Sequence, residues 1–319
     1  MSLHDSLVFS EPQTSDFGPQ QLLRILATPG LTDLVANGPQ IWMANRGTGF
    51  EPVSGISMTS GGLAQLARNL VDLADRHLDL ANPLCDVSLV PAQLPQLREL
   101  GIESLRVHAV LESAVSQVTL LSIRVHRAGF TSLDALQRGG MFSPSQFGQI
   151  IDVIETRQNF LIAGSAGSGK TTLLRAMLAH SPEVRTLVVE DTAELLPIPG
   201  HVVGLQARQP NIDGAGAIDL QFLAQQALRM QPQRLVVGEV RGAEVSVLLN
   251  SMNTGHAGSA ATIHANSPNA VFTRLRGLAQ GAGISDAAFE QQVKTAVQKV
   301  IFLGNGVSRN VSWIGSLQW

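Results

Sequence analysis

The eight residues Gly164-Ser165-Ala166-Gly167-Ser168-Gly169-Lys170-Thr171 constrain this chain more than any other stretch, because they fit the pattern G-x-x-x-x-G-K-[ST] in full. Glycines at these spacings let backbone N–H groups converge on one point and approach phosphate oxygens closely. A helix that starts at the end of such a loop turns its positive end toward the same anion. Lys170 then supplies a point charge for the β and γ phosphates, Thr171 offers a hydroxyl to Mg²⁺, and Thr172 continues the first helical turn. The pattern requires a strand before it and a helix after it. Asn159–Ala163 reads as an apolar strand and Lys170–His180 as a helix. The chain holds only three lysines, Lys170, Lys294 and Lys299, so a chance match at this position is rare.

The periodicity around the loop predicts the rest of its domain. Residues 145–319 alternate strands (Arg185–Glu190, Arg234–Gly238, Ser259–His264) with helices (Asp219–Met230, Ala243–Met252, Pro268–Ala279). This is the pattern of an α/β domain with a mostly parallel sheet covered on both faces, which places ligands beyond the carboxyl ends of the strands. Residues 18–126 read differently. A helix-like Gln20–Ala27, extended runs at Thr32–Val35 and Gln40–Met43, a helical spacing over Gly61–His77, and strands at Leu84–Val90, Leu105–Leu111 and Val118–Val125 predict a small N-terminal α+β domain. Residues 127–144, with Gly129, Gly139, Gly140 and Pro144, read as a linker that carries a short helix at Leu133–Gln137. Residues 1–17 are polar and mixed, as expected of a flexible N-terminus.

Three further motifs carry acids or histidines. Leu235-Val236-Val237-Gly238-Glu239 is an apolar strand that ends in a carboxylate, the position that holds hydrated Mg²⁺ or orients water in P-loop enzymes. The alternative is an ordinary surface glutamate at a strand end. Leu187-Val188-Val189-Glu190-Asp191-Thr192-Ala193-Glu194 ends a second strand in acids, about twenty residues after the phosphate loop. Glu190 and Asp191 are candidates for Mg²⁺, and Glu194 for the attacking water. Here the alternative is that Asp191 or Thr192 caps a turn. His256 and His264 flank the strand Ser259–His264; metal binding, a satisfied polar role and phosphate sensing all stay open for them.

Net charge is −3, which gives no support to an extended nucleic-acid surface, so no direct nucleic-acid partner is expected. One cysteine, Cys85, rules out an intrachain disulfide or a cysteine zinc cluster, and its apolar setting predicts a core position. No apolar run reaches the roughly 18 residues of a membrane span, and the first residues lack a signal-peptide pattern, so a cytoplasmic protein is expected.

In this order, the four motifs resemble those of the type II/type IV secretion ATPase superfamily. Its Walker A, Asp box, Walker B and His box fall on 164–171, 187–196, 235–242 and 254–266. The wording of 227–242, of Met252-Asn253-Thr254-Gly255-His256 and of Thr262–Pro268 is most similar to the TadA/CpaF branch, which drives Flp or Tad pilus assembly and is often described as conjugal-transfer ATPase. The resemblance implies a RecA-like P-loop domain behind an N-terminal domain, Mg-dependent ATP hydrolysis, a homo-hexamer, and an inner-membrane platform protein as partner at the inner face of the cell membrane. It also implies that arginines of the N-terminal domain reach the phosphates, at Arg106 and Arg124 here, with Arg229 and Arg241 as further candidates. On this reading Glu194 or Glu239 acts on the water, while His256 and His264 report the state of the γ-phosphate to the neighbouring subunit. The chain departs from the family in three places: Gly-Ser-Ala opens the loop where Gly-Gly-Thr is usual, 91–103 is an insertion between strands, and Val125-His126-Arg127 follows Arg124.

Two rivals are weaker. A transporter ATPase needs Leu-Ser-Gly-Gly-Gln after the loop, which this chain lacks, and a small-molecule kinase has no use for the paired histidines. A conjugal DNA-transfer ATPase, or a nucleotide-binding assembly module with little turnover, remains an alternative.

Overall fold

The computed structural model describes residues 18–45, 49–56, 58–127, 131–208, 216–304 and 309–317. The segment expected to be flexible, 1–17, lies outside these. The chain divides into two compact units, Met1–Ala128 and Gly129–Trp319.

The first unit contains α1 (Pro19–Leu26), β1 (Leu31–Asn37), β2 (Gln40–Asn45), β3 (Phe50–Pro52), α2 (Ser60–Asp72), β4 (Leu84–Leu89), α3 (Gln96–Glu99), β5 (Ile102–Val110) and β6 (Leu120–Arg127). The strands pair antiparallel in the order β3-β2-β1-β6-β5-β4. Period-2 alternation sends Leu105, Val107 and Ala109 of β5, with Leu121, Ile123 and Val125 of β6, into one core with Leu63, Leu66, Ala67, Leu70 and Val71 of α2. Thr59 starts α2 by accepting the Gly62 N–H on its hydroxyl. Cys85 is buried in this core, and burial pushes its thiol pKa up. The insertion 91–103 is a folded plug, with Leu94 and Leu97 buried. Arg127 donates to the carbonyls of Leu26, Thr28 and Leu100, so this departure from the family ties α1 and the plug to the sheet.

The second unit runs α4 (Leu133–Arg138), α5 (Pro144–Glu155), β7 (Phe160–Gly164), α6 (Lys170–Ala179), β8 (Thr186–Glu190), β9 (Val202–Gln206), α7 (Leu220–Leu228), β10 (Arg234–Val237), α8 (Glu244–Asn253), β11 (Ala260–His264), α9 (Ala270–Gly281), α10 (Asp286–Ala296), β12 (Lys299–Leu303) and β13 (Val311–Gly315). The sheet order is β13-β12-β7-β11-β10-β8-β9, parallel throughout except for β13. Its interior strands β12, β7, β11, β10 and β8 are buried on both faces. Phe160 and Ile162 of β7 pack with α5 and α6, while Leu161 and Ala163 pack with α8, α9 and α10. This is the doubly covered parallel sheet expected of a RecA-like domain. The stretch 131–144 differs from the linker expected there. Leu133, Met141 and Phe142 are buried in this unit's core, and Ser143 and Gln146 form a capping box that starts α5.

Candidate functional site

The loop 164–171 leaves the carboxyl end of β7, an interior strand, and runs directly into α6. Gly164 has φ +152°, and a Cβ there would meet the Leu303 carbonyl oxygen at 2.8 Å, so no larger residue fits. Gly169, the N-cap of α6, has φ +100° and no side chain to cap the helix, which leaves the first-turn N–H groups turned toward the loop's concavity. Lys170 is buried, and its Nζ donates to the carbonyls of Gly164 at 3.1 Å and Ser165 at 2.7 Å. The ammonium therefore lies over the start of the loop. Burial lowers its pKa to about 8, against the pull of Glu239 and Glu194, which lie near enough to raise it. Ser168 is buried with no hydrogen-bond partner for its hydroxyl, while Thr171 is half-buried and Thr172 exposed. Ser165 is half-buried, and Ala166 and Gly167 are exposed. A buried cation, an orphaned hydroxyl and uncapped helix amides around one point suit a bound polyphosphate.

The acids arrive on two neighbouring parallel strands. Glu239 follows β10, and its Oε2 accepts from Arg241 Nη2 at 2.7 Å. His264 Nε2, at the end of β11, lies 3.2 Å from Glu239 Oε1. Burial alone would raise the Glu239 carboxyl, but the hydrogen bond and charge of Arg241, with the charge of Lys170, outweigh it and hold the group below its ordinary value. Arg241, raised chiefly by that same hydrogen bond, also stands 4.0 Å from Asp191. Burial and then the Lys170 charge depress His264, so its imidazole is neutral at neutral pH.

Glu190 has a different place from the metal position assigned to it by sequence. It is buried at the end of β8, and its Oε1 accepts the N–H groups of Glu194 at 3.1 Å and Leu195 at 3.0 Å. Its role is to anchor the turn that carries Asp191 and Glu194. The glycine before Glu239 has the same cause: a Cβ on Gly238 would meet Glu190 Cγ at 2.7 Å. Sequence reasoning overlooked a second anchor of this kind. Buried Glu244 accepts the N–H groups of Arg241 at 2.6 Å and Gly242 at 2.7 Å, and so sets the turn that presents Arg241. The available signal was a glutamate two residues after Gly242 at the start of α8.

The histidine pair is not brought together. His256 precedes β11 and donates from Nδ1 to the Pro232 carbonyl at 3.0 Å, at the amino-terminal edge of the sheet. β11 alone separates it from His264 by about 13 Å. The assignment of His256 to the phosphates of its own subunit is therefore corrected, and a metal site shared by both histidines is excluded. Arg229 caps the carboxyl end of α7 at that same far edge. Arg106 and Arg124 lie in the first unit, directly opposite each other on β5 and β6 and facing away from its core. Arg124 Nε donates to Asp33 at 2.9 Å.

Among the described residues, no group of three or more His, Cys, Asp or Glu forms a metal cage. Mg²⁺ does not need one. It binds through one or two protein groups, waters and the substrate's own phosphates. Thr171 at the end of the loop and the ionised Glu239, whose charge reaches Lys170, fit that mode.

The type II/IV secretion system protein family matches residues 92–303. A Mycobacterium tuberculosis H37Rv protein named for conjugal transfer is 40% identical over 292 residues, spanning 91% of this chain and 81% of its own. The type IV secretion system protein VirB11 of Bartonella quintana is 25% identical over 78% of this chain and 76% of its own. In fold, the chain is similar to the Legionella pneumophila ATPase DotB, with a TM-score of 0.63 and 18% identity over 92% of this chain and 78% of that one. The chain therefore belongs to the type II/IV secretion system protein family.

Proposed function

We propose that this chain is the Mg-dependent ATP-hydrolysing motor subunit of a bacterial secretion or pilus-assembly machine. The observation that carries the reading is the convergence of Lys170, Glu239, Arg241 and His264 at the carboxyl ends of β7, β10 and β11. Lys170 and the amides of 164–171 bind the triphosphate. Thr171 would hold Mg²⁺, which when bound would offset phosphate charge. Glu239, kept ionised by Arg241, orients the attacking water or takes its proton, and Glu194 supports it from the neighbouring turn. Neutral His264, beside Glu239, is the phosphate-state reporter. Arg106 and Arg124 add positive charge from the first unit.

In this reading the subunits act as a homo-hexamer at the cytoplasmic side of the inner membrane and pass motion to a platform protein there. No helix among the described residues is long and apolar enough to cross a membrane, in keeping with a peripheral position. The wording of 252–268 favours Flp or Tad pilus assembly. The 40%-identical relative's name supports conjugal transfer as a second reading. The test is phosphate release by the purified full chain with Mg-ATP. Lys170→Ala should abolish turnover, with the circular dichroism spectrum unchanged, and turnover in that variant at the wild-type rate overturns the scheme. Light scattering with ATP should give six subunits.

A further inference from the structure

Beside the phosphate loop opens a cavity of about 610 Å³, lined by Ser165, Ala166, His264, Asn266, Thr273 and Arg274. That volume lies within the range of small-molecule sites. Its back wall is one face of α9. Val271, Leu275, Leu278 and Ala279 bury the core face of this helix, while positions 270, 273, 274 and 277 face the cavity at i, i+3, i+4, i+7 spacing. Three of those four residues are small (Ala270, Thr273 and Gly277), and the fourth is an arginine. Small residues keep the space open, and among the described residues that line it Arg274 alone carries a formal positive charge.

Arg274 is exposed, and among the described residues it makes no hydrogen bond or ion pair. Arg276, two positions on, shows the contrast, since its guanidinium is committed to Asp286. The charge of Arg274 nevertheless reaches His264, whose pKa it helps to lower. The cavity's place along the triphosphate follows from Lys170. This lysine lies on the carbonyls of Gly164 and Ser165, and it serves the β and γ phosphates. The cavity begins at Ser165 and Ala166, so it lies at the γ end of the phosphate chain.

Resting on the ATPase reading above, we propose that Arg274 contacts the γ-phosphate within its own subunit and makes the site discriminate ATP from ADP. An arginine fork matches phosphate oxygens through two parallel N–H donors, and the charge that develops in transfer calls for such donors. Arg274 is thus a catalytic residue supplied from α9.

The experiment compares Arg274→Ala, Arg274→Lys and Lys170→Ala in the full chain, with Mg²⁺ present. Calorimetry measures binding of ADP and of the imido analogue of ATP, alongside steady-state turnover. Because Arg274 is exposed and unpaired, its alanine variant should keep the wild-type melting temperature. Expected for Arg274→Ala are affinity for the imido analogue weaker by about tenfold, unchanged ADP affinity, and kcat lower by roughly 10- to 100-fold. Lysine should restore part of each loss. Equal weakening of both nucleotides would overturn the γ-phosphate assignment, as would wild-type binding and turnover in the alanine variant. Wild-type turnover in Lys170→Ala would instead sink the underlying ATPase reading, and this inference with it.

Discussion

Replacing Glu190 by glutamine and by alanine separates the two things its carboxyl group does. Its Oε1 accepts two backbone N–H groups, from Glu194 at 3.1 Å and Leu195 at 3.0 Å. Alanine leaves both donors without an acceptor, at about 1–3 kcal/mol each, so the variant should lose roughly 2–6 kcal/mol of stability. Glutamine keeps an oxygen in place. The charge is a separate matter. Burial raises Glu190 from an ordinary value of 4.5 to about 7. Between those values the folded chain holds a proton that the unfolded chain has released, so wild-type stability falls as pH rises through this window. The ionised form costs at most roughly 3 kcal/mol in the folded state, at 1.36 kcal/mol per unit. Glutamine carries no such cost. Urea unfolding followed by circular dichroism at about pH 5 and about pH 8 should therefore show Glu190→Gln gaining on wild type by up to roughly 3 kcal/mol between the two. Turnover should stay within a few-fold of wild type in glutamine and drop about tenfold or more in alanine, because the turn that bears Glu194 loses its anchor. Equal damage in both variants, independent of pH, would refute the argument that a buried carboxyl group holds the turn.

Two further perturbations test the site's electrostatics and layout. Lys170 is lowered to about 8 by burial, so in the free protein its charge is present below that pH and lost above it. ADP affinity and kcat/KM for ATP should fall, approaching tenfold per unit, as pH rises past about 8, and a flat profile up to about pH 9.5 would contradict a phosphate-binding role for the amine. His256 and His264 should separate cleanly. His264→Ala should cut turnover by about tenfold or more. His256→Ala, which loses a hydrogen bond at the far sheet edge, should cost about 1 kcal/mol of stability with little change in kcat, and the reverse order of effects would contradict the placement.

The phosphate loop, both acid-bearing strands and the parallel sheet were legible because each depends on local pattern. Buried β7, β8, β10 and β11 read as short apolar runs, and the loop has its own signature of glycines and lysine. Two kinds of feature were not legible. Elements with weak periodicity escaped: α5 starts on a capping box inside a stretch whose glycines read as linker, and β9 is a half-exposed edge strand interrupted by Gly204. Roles set by geometry across the sheet escaped as well. Glu190 and Asp191 are adjacent in sequence, but one points into the turn as an acceptor and the other outward toward Arg241. His256 and His264 sit eight residues apart, yet a fully extended strand between them puts them at opposite edges. Arg274 carries no motif. Its role depends on which face of α9 turns to the loop, and that follows only from the packing of Val271 and Leu275 on the other side.

The charges around the phosphate loop show what the second unit lacks on its own. Lys170 and Arg241 face three carboxylates, those of Asp191, Glu194 and Glu239, and Arg241 is largely committed to Glu239. His264 adds no positive charge while neutral. A triphosphate placed here meets three carboxylates whose charge offsets that of Lys170, Arg241 and Arg274, with Arg309 beside Gly169 as a further cation. Such a site binds its substrate weakly until cations are added, and stabilises developing charge less well still. Mg²⁺ held at Thr171 would supply part of the deficit. Arg274 supplies charge from within the unit, and Arg106 and Arg124 are the arginines proposed to bring it from outside. Turnover that depends on charge delivered by other parts of an assembly is turnover that the assembly can control, which suits the multi-subunit motor proposed above. The shortage of positive charge at the loop is therefore the physical reason to expect that the isolated second unit binds nucleotide yet hydrolyses it slowly.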